Sequence, residues 1–312
     1  MYSEKALFLH SLLKTLIDHS MHRSGFVNII GNPNVGKSTL MNVLTGERLS
    51  VVTAKAQTTR HRIMGIVSGD DFQIVFSDTP GIIKPQYRMQ EGMMDLVHTA
   101  FTDADVMMYV TDVVETPDKN VAYIEKISEM DTPVLLVINK IDLTTPEKLD
   151  NLSDLWRGLL PKATIIPVSA KEKFNVDTVN RSIREALPEG PAYFPKDEMT
   201  DKPERFFVSE ILRGKIFENY AKEIPYCTEV VVESFKEDAT LIRIHTLIYV
   251  ERDTQKAILI GKKGLALKKT ATEARKEMER FFGKKIYLET FVKVRKDWRN
   301  DENYLKNLGY IN

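Results

Sequence analysis

Gly31-Asn32-Pro33-Asn34-Val35-Gly36-Lys37-Ser38-Thr39 decides how this chain is read. The apolar run Phe26-Val27-Asn28-Ile29-Ile30 precedes it. Leu40-Met41-Asn42-Val43-Leu44, helical in spacing and stopped by Gly46, follows. Strand, glycine loop and helix in that order is the setting the G-x-x-x-x-G-K-[ST] pattern requires. The glycines let backbone N–H groups turn inward around a polyphosphate, and the helix N-terminus adds partial positive charge. Lys37 then reaches the β- and γ-phosphates, and the Ser38 hydroxyl is left to ligate Mg²⁺.

Further pieces lie outward from this loop, each at a strand's carboxyl end, where open α/β sheets bind ligands. Asp78-Thr79-Pro80-Gly81 follows two strands, 63–67 and 72–76, joined by the turn Ser68-Gly69-Asp70-Asp71. Asp78 is placed to hold Mg²⁺ through water, and the Gly81 N–H to meet a γ-phosphate. Asn139-Lys140-Ile141-Asp142 follows the apolar strand 134–138. The Asp142 carboxylate can accept from N1–H and the N2 amine of guanine, a donor pair that adenine lacks. Val168-Ser169-Ala170 follows strand 164–167 and can offer a backbone N–H to guanine O6. Gln57-Thr58-Thr59-Arg60, in the polar segment 47–62, can bring a threonine hydroxyl to Mg²⁺. Each piece alone reads equally well as a turn or polar loop. Together and in this order they imply a guanine nucleotide.

The chain of 312 residues has room for two cores, and 43% apolar with 28% charged residues is ordinary globular composition. Formal net charge is zero, but residues 1–200 carry 21 Lys and Arg against 26 Asp and Glu, while residues 201–312 carry 23 against 18. A polyanion larger than a nucleotide is therefore expected on the C-terminal part. The single cysteine, Cys227, excludes an internal disulfide, fits a reducing cytosol and is expected to be a buried structural thiol. No apolar stretch is long enough to span a bilayer. Residues 1–20 differ from the rest: Leu9, Leu12, Leu13, Leu16 and Ile17 form a short amphipathic face, and Met21 could itself be the start. An over-long gene start or an extension is the plainer reading, a membrane-surface helix the other.

Alternation of buried strands (with another over 106–110) and helices over 118–130, 146–160 and 176–187 predicts an α/β domain, residues 21–188, with a mostly parallel sheet covered on both faces. A Pro-containing linker over 189–203 leads to a smaller α+β domain, 204–296, and a short polar tail, 297–312. The second domain reads as helix 206–220, strands 229–235 and 241–250, two helices flanking Gly261-Lys262-Lys263-Gly264, and strand 286–294. Seven Lys or Arg and one acid, Glu273, fall between Lys256 and Lys276. This order matches the type II KH fold, whose G-x-x-G loop clamps the backbone of about four nucleotides. Lys262 and Lys263 would meet phosphates, with Ile258 and Ile260 as a platform for bases. Ala271, Ala274, Met278 and Phe281 read as core. Lys293, Arg295, Lys296 and Arg299 extend the positive surface, although a solvated face explains them almost as well.

The run from Met21 to Ser38, with Lys55-Ala56-Gln57-Thr58-Thr59-Arg60-His61-Arg62, resembles the Era family of bacterial ribosome-assembly GTPases, and the likeness extends to the C-terminus. The resemblance implies GTP and GDP as ligands, slow hydrolysis, Mg²⁺, and a monomer. It also implies binding to 16S rRNA near its 3′ end, a role in 30S ribosomal subunit assembly and rRNA processing, and a cytoplasmic place, peripheral on the inner face of the cell membrane at most. A membrane-associated signalling GTPase is the rival, and a C-terminal protein-interaction module a third view. Ras-like enzymes carry a water-orienting glutamine after the Asp-x-x-Gly motif; here Ile82 stands there and cannot play that part. GTPases of the wider class with Pro-Asn-x-Gly-Lys use the asparagine to help hold K⁺. Asn34 occupies that position, with Thr58, Thr53 and the Lys55 carbonyl as candidates to complete the shell, and Thr59 on Mg²⁺. Lys37, Asn34, Thr59 and Gly81 are the expected catalytic set.

Overall fold

A computed structural model describes residues 22–116 and 120–311. The 1–20 segment and its amphipathic face lie outside the described residues. Strand β1 (Arg23–Ile30) alternates Val27 and Ile29 toward one face of a sheet and Asn28 and Ile30 toward the other. The glycine loop then turns into α1 (Lys37–Thr45), ended by Gly46 in the left-handed region. Strands β2 (Ile63–Ser68) and β3 (Phe72–Asp78) form the expected antiparallel pair. β4 (Val106–Asp112), α3 (Val121–Ser128), β5 (Val134–Asn139), α4 (Pro146–Leu159), β6 (Thr164–Pro167) and α5 (Val176–Ala186) follow, with a helix α2 (Arg88–Thr102) before β4. The strand order β2-β3-β1-β4-β5-β6, parallel except for β2, puts the glycine loop where the chain leaves β1 for opposite sides of the sheet.

Two apolar layers sandwich this sheet. α1 and α5 supply Leu40, Met41, Val179 and Ile183 on one face; α2 and α4 supply Met89, Met93, Val97 and Trp156 on the other. Helix α2 has no counterpart in the sequence reading. Its 15 residues place Met89, Met93, Val97 and Ala100 inward at helical spacing.

The C-terminal part contains α6 (Glu204–Asn219), the four-residue α7 (Ile224–Cys227), β7 (Glu229–Glu237), β8 (Leu241–Val250), α8 (Asp253–Ile260), α9 (Leu265–Phe282) and β9 (Lys285–Val294). β8 pairs antiparallel with β7 and parallel with β9, and one face of this sheet packs on the helices. Cys227 is buried, and burial pushes its thiol up to about 11, as expected of a structural cysteine. Ala274 and Met278 are core, but Phe281, read as core, is 38% exposed, packing edge-on against its neighbour Phe282.

The tail departs from its reading as a short polar stretch. It contains α10 (Glu302–Asn307), and Trp298, Leu305 and Tyr310 are buried with the α2 side of the first sheet. The Trp298 indole donates to the Cys227 carbonyl at 3.0 Å. These three large residues outweigh the polar residues between them, because each buries a side chain's worth of apolar area.

Gly92 explains how the tail fits. It lies inside α2, where glycine costs about 1 kcal/mol relative to alanine, and a Cβ there would lie 2.3 Å from the Tyr310 carbonyl oxygen. Gly92→Ala is therefore expected to destabilise the chain by about 1–3 kcal/mol despite its better helix propensity, read from urea unfolding. Truncation before Trp298 should make the same substitution neutral or stabilising.

Candidate nucleotide site and RNA-facing loop

The glycine loop is held by backbone constraint. Gly31 has φ +149, and a Cβ there would meet the Val110 carbonyl at 2.1 Å; Gly36 has φ +96, with the Asn139 amide 2.3 Å from where a Cβ would lie. Side chains at either position would push the loop off the sheet. Asn34 also takes a left-handed φ of 66 and is exposed. Lys37 is buried, its ammonium donating to the Gly31 and Asn32 carbonyls at 3.0 and 2.8 Å. Burial pushes its pKa down to about 8, against the pull of Asp78 and Glu115. A buried cation held by carbonyls is prepared for a polyanion.

Beside it, three oxygens from distant segments meet. Ser38 Oγ donates to Asp78 Oδ2 at 2.7 Å and lies 2.9 Å from Thr59 Oγ1, itself 3.3 Å from the same carboxylate oxygen. Asp78 is fully buried, which raises its pKa, and its Oδ1 has no partner among the described residues. Two hydroxyls and one carboxylate, one of whose oxygens has no partner, fit a hard divalent cation such as Mg²⁺, which takes oxygen ligands and keeps several waters.

A cavity of about 410 Å³ opens over these groups, lined by Pro33, Asn34, Gly36 to Thr39, the 51–59 loop, Gly81 and Lys140. Within that loop Thr58 Oγ1 lies 2.6 Å from Thr53 Oγ1 and donates to the Lys55 carbonyl at 2.8 Å, so the three loop oxygens named as K⁺ candidates lie together. Gly81 packs its Cα face on Pro33. Ile82 is buried in the α2-side core, so its side chain turns away from the cavity.

At the far end, Asn139 ties the strand ends together: its amide donates to the Val35 carbonyl at 2.9 Å and accepts from the Ala170 N–H at 3.0 Å. Lys140, in the left-handed region, turns its ammonium back to the Asn34 carbonyl and to Asp112 Oδ2, each at 2.6 Å. Asp142 stays exposed, its Oδ1 accepting from Ser169 Oγ at 2.6 Å. Ile141 bonds the Val168 carbonyl through its N–H.

Not every sequence candidate faces the cavity. Val35 and Pro80 are buried beneath it, Thr79 donates to the Ile29 carbonyl at 2.7 Å, and Asn32 bonds Asn120 on the opposite side. The sequence reading missed Asp112, which fixes Lys140, and Gln90 of α2, which donates to Gln57 Oε1 at 3.0 Å. A carboxylate ending a parallel strand was the readable signal for Asp112; Gln90 had none.

The second loop projects from the C-terminal domain between α8 and α9. Gly261 has φ +70, and a Cβ there would meet Ala266 at 2.6 Å; Lys262 and Lys263 are exposed. Gly264 begins α9 with φ +76. The apolar platform differs from expectation. Ile258 is exposed, but Ile260 is half-buried against the core, and Leu265, unnoticed in the sequence, is 64% exposed beside the loop. Three of the four distal basic residues also have acidic partners: Lys293 with Glu233, Arg295 with Asp301 and Arg299 with Glu251.

A family model described as 50S ribosome-binding GTPase matches residues 26–140, and one described as KH domain matches residues 223–299. GTPase Era of Staphylococcus epidermidis is 44% identical over 292 residues, 93% of this chain and 98% of that protein. GTPase Era of Staphylococcus haemolyticus matches to the same extent. A crystal structure of Era in complex with MgGDPNP and nucleotides 1506–1542 of 16S ribosomal RNA superposes with a TM-score of 0.89 at 36% identity, covering 93% of this chain and all of that one. A variant of Aquifex aeolicus Era bound to GDP·AlF4⁻ superposes equally well, at the same identity and coverage.

The exposed carboxylate of Asp142 gives the base-end prediction. Asp142→Asn should weaken GTP binding and strengthen binding of xanthosine triphosphate, since an amide can donate to the carbonyl that replaces the guanine amine. Titration of both nucleotides checks it, and unchanged GTP affinity would remove Asp142 from the site.

Proposed function

The chain belongs to the Era family of GTPases, and from that premise we propose that it is a GTP-hydrolysing switch whose KH domain binds 16S rRNA near the 3′ end during 30S subunit maturation. The observation that carries this reading is the meeting of Ser38, Thr59 and Asp78 beside Lys37. It supplies a phosphate loop and a Mg²⁺ end from three separate segments, one of which, 47–62, also touches the C-terminal domain. The relative solved with MgGDPNP holds a piece of 16S rRNA, and that RNA belongs to the small subunit. This favours the small subunit as the assembly on which the chain acts.

Catalysis follows from positioning and charge. Lys37 would bind the β- and γ-phosphates and the Gly81 N–H would contact the γ-phosphate, while Ser38, Thr59 and Asp78 would hold Mg²⁺, which would neutralise developing charge. With Ile82 turned inward, no side chain at that position orients the attacking water. Asn34, Thr58, Thr53 and the Lys55 carbonyl would hold K⁺, which would supply the missing positive charge. Intrinsic hydrolysis is slow. In the second domain, the Gly261 and Gly264 N–H groups are taken by the Ala257 and Gly261 carbonyls, so the exposed Lys262 and Lys263 supply the phosphate contacts, with Ile258 and Leu265 against bases. The active unit is a monomer, with 21–188 as the nucleotide domain, 189–203 as the linker and 204–296 as the RNA domain.

Among the described residues no helix is long and apolar enough to cross a membrane. The rival membrane reading rests on peripheral contact, through residues 1–20 or the basic face of the second domain, and anionic-vesicle binding that survives an RNase step would support it.

Two measurements test the two halves. GTP hydrolysis should be faster in KCl than in NaCl at equal ionic strength, and Asn34→Ala should abolish the difference; equal rates in the two salts would remove K⁺. Replacing Lys262 and Lys263 together with Asp should weaken binding to a 16S rRNA 3′-end fragment at least about tenfold and flatten its salt dependence. GTP affinity should stay at the parent value. Undiminished RNA binding by the folded double variant would dismiss the loop as an RNA clamp.

A further inference from the structure

Loop 47–62 forms no helix or strand, yet Thr58 and Thr59 are nearly buried and their hydroxyls are placed to within hydrogen-bond distance of Ser38, Thr53 and Asp78. Such a segment has to be held from outside. Gln57 before it takes a left-handed φ of 61, unfavourable for a residue with a Cβ. One of the holds comes from the other domain. Arg213 of α6 is 2% exposed, and its Nε donates to Glu210 Oε1 at 2.8 Å. Its Nη2 donates both to Glu210 Oε2 and to the Thr58 carbonyl. The guanidinium is a rigid fork, so docking two of its N–H groups on Glu210 aims the third at Thr58.

We propose that Arg213 is a positioning residue for GTP hydrolysis, supplied by the RNA-binding domain: by fixing the Thr58 carbonyl it sets the Thr58–Thr59 peptide, and so both hydroxyls, against the phosphates. This rests on the reading of Ser38, Thr59 and Asp78 as the Mg²⁺ end of the site. A purely structural role in the second domain would be met by Glu210 alone, one turn away on the same helix. The bond to Thr58 spans 155 residues and ends one peptide from a Mg²⁺ oxygen. Contacts in the opposite direction hold the loop to the same surface. The Lys55 ammonium donates to the Phe217 and Tyr220 carbonyls at the C-terminal end of α6, and Arg60 enters the domain beside it. The nucleotide domain alone therefore lacks a part of its own active site.

Arg213→Gln by itself would strand a buried carboxylate, so the test uses the paired change of Glu210 and Arg213 to Gln, with Arg213→Lys as the conservative variant, all in the full chain. Circular dichroism and thermal melting confirm that each is folded. In Mg²⁺ and KCl, kcat for GTP should fall about tenfold in the paired variant, the weight of one charge-assisted hydrogen bond. KM for GTP should stay within about twofold, GDP affinity should be unchanged, and Arg213→Lys should recover part of the rate. Placed in a Thr59→Ala background, the paired change should cost nothing further, since the hydroxyl that Arg213 positions is gone. A parent-like kcat in the folded paired variant, or the same tenfold loss in the Thr59→Ala background, would overturn the assignment. A parent chain that does not hydrolyse GTP overturns the reading beneath it, and that is seen before any variant is made.

Discussion

A guanidinium taken out of water needs partners for its N–H groups, and Arg60 finds them for both Nη atoms in the other half of the molecule, its Nε having none among the described residues. It is fully buried, donating to the Pro225 and Thr228 carbonyls at 3.0 and 2.8 Å and to Glu229 Oε2 at 3.1 Å. Glu229 is buried too, and the same oxygen accepts the Tyr310 hydroxyl of the tail. Removing one partner of such a pair costs about 3–5 kcal/mol, because the other charge stays buried alone. Arg60 therefore cannot leave its pocket unless the seam opens. Since Thr59 precedes it, whatever holds Thr59 at Ser38 and Asp78 also bears on the seam between the domains.

The seam has a consistent chemistry. His61 stacks on Tyr310 with ring centroids 4.4 Å apart, and burial pushes its pKa down to about 4, so it packs as a neutral ring. Arg60 and Arg213 lie 5.8 and 5.4 Å from the centre of the Phe217 ring, each with its own carboxylate, Glu229 and Glu210. The tail closes the arrangement, reaching the first sheet through Tyr310 and the second domain through the Trp298 indole. Residues 58–60 thus face a nucleotide on one side and the RNA domain on the other. We propose that nucleotide and RNA binding are coupled through these residues.

Much of this could be read from the residues in order. The glycine loop, the strand-end motifs and the antiparallel hairpin announce themselves because each needs fixed residue types at fixed spacing: Gly31 and Gly36 for backbone geometry, Asp142 for a donor pair. The Gly261–Gly264 loop between two helices was legible for the same reason, and the close approach of Ala266 accounts for the glycine at 261. What stayed hidden depends on packing between distant segments. Helix α2 carries a Gly and a run of Met that blur its apolar stripe, and Gly92 makes sense only once Tyr310 is seen against it. Ile260, expected to face RNA, turns half into the core because the phase of α8 sets which of its apolar residues point inward. No local pattern marks Arg213, whose partner lies 155 residues away.

Coupling between the two sites is the centre of this account, and RNA affinity in the two nucleotide states tests it most directly. Thr59 is engaged at Ser38 and Asp78 while Lys262 and Lys263 stand exposed, and we propose that this docked arrangement is the one that binds RNA. Binding of a 16S rRNA 3′-end fragment, titrated with Mg²⁺ and either GDP or a non-hydrolysable GTP analogue, should be tighter with the analogue by about fivefold or more. The paired change of Arg60 and Glu229 to Gln should erase that difference while leaving both nucleotides bound. Equal RNA affinity in the two nucleotide states of the parent chain would contradict the account.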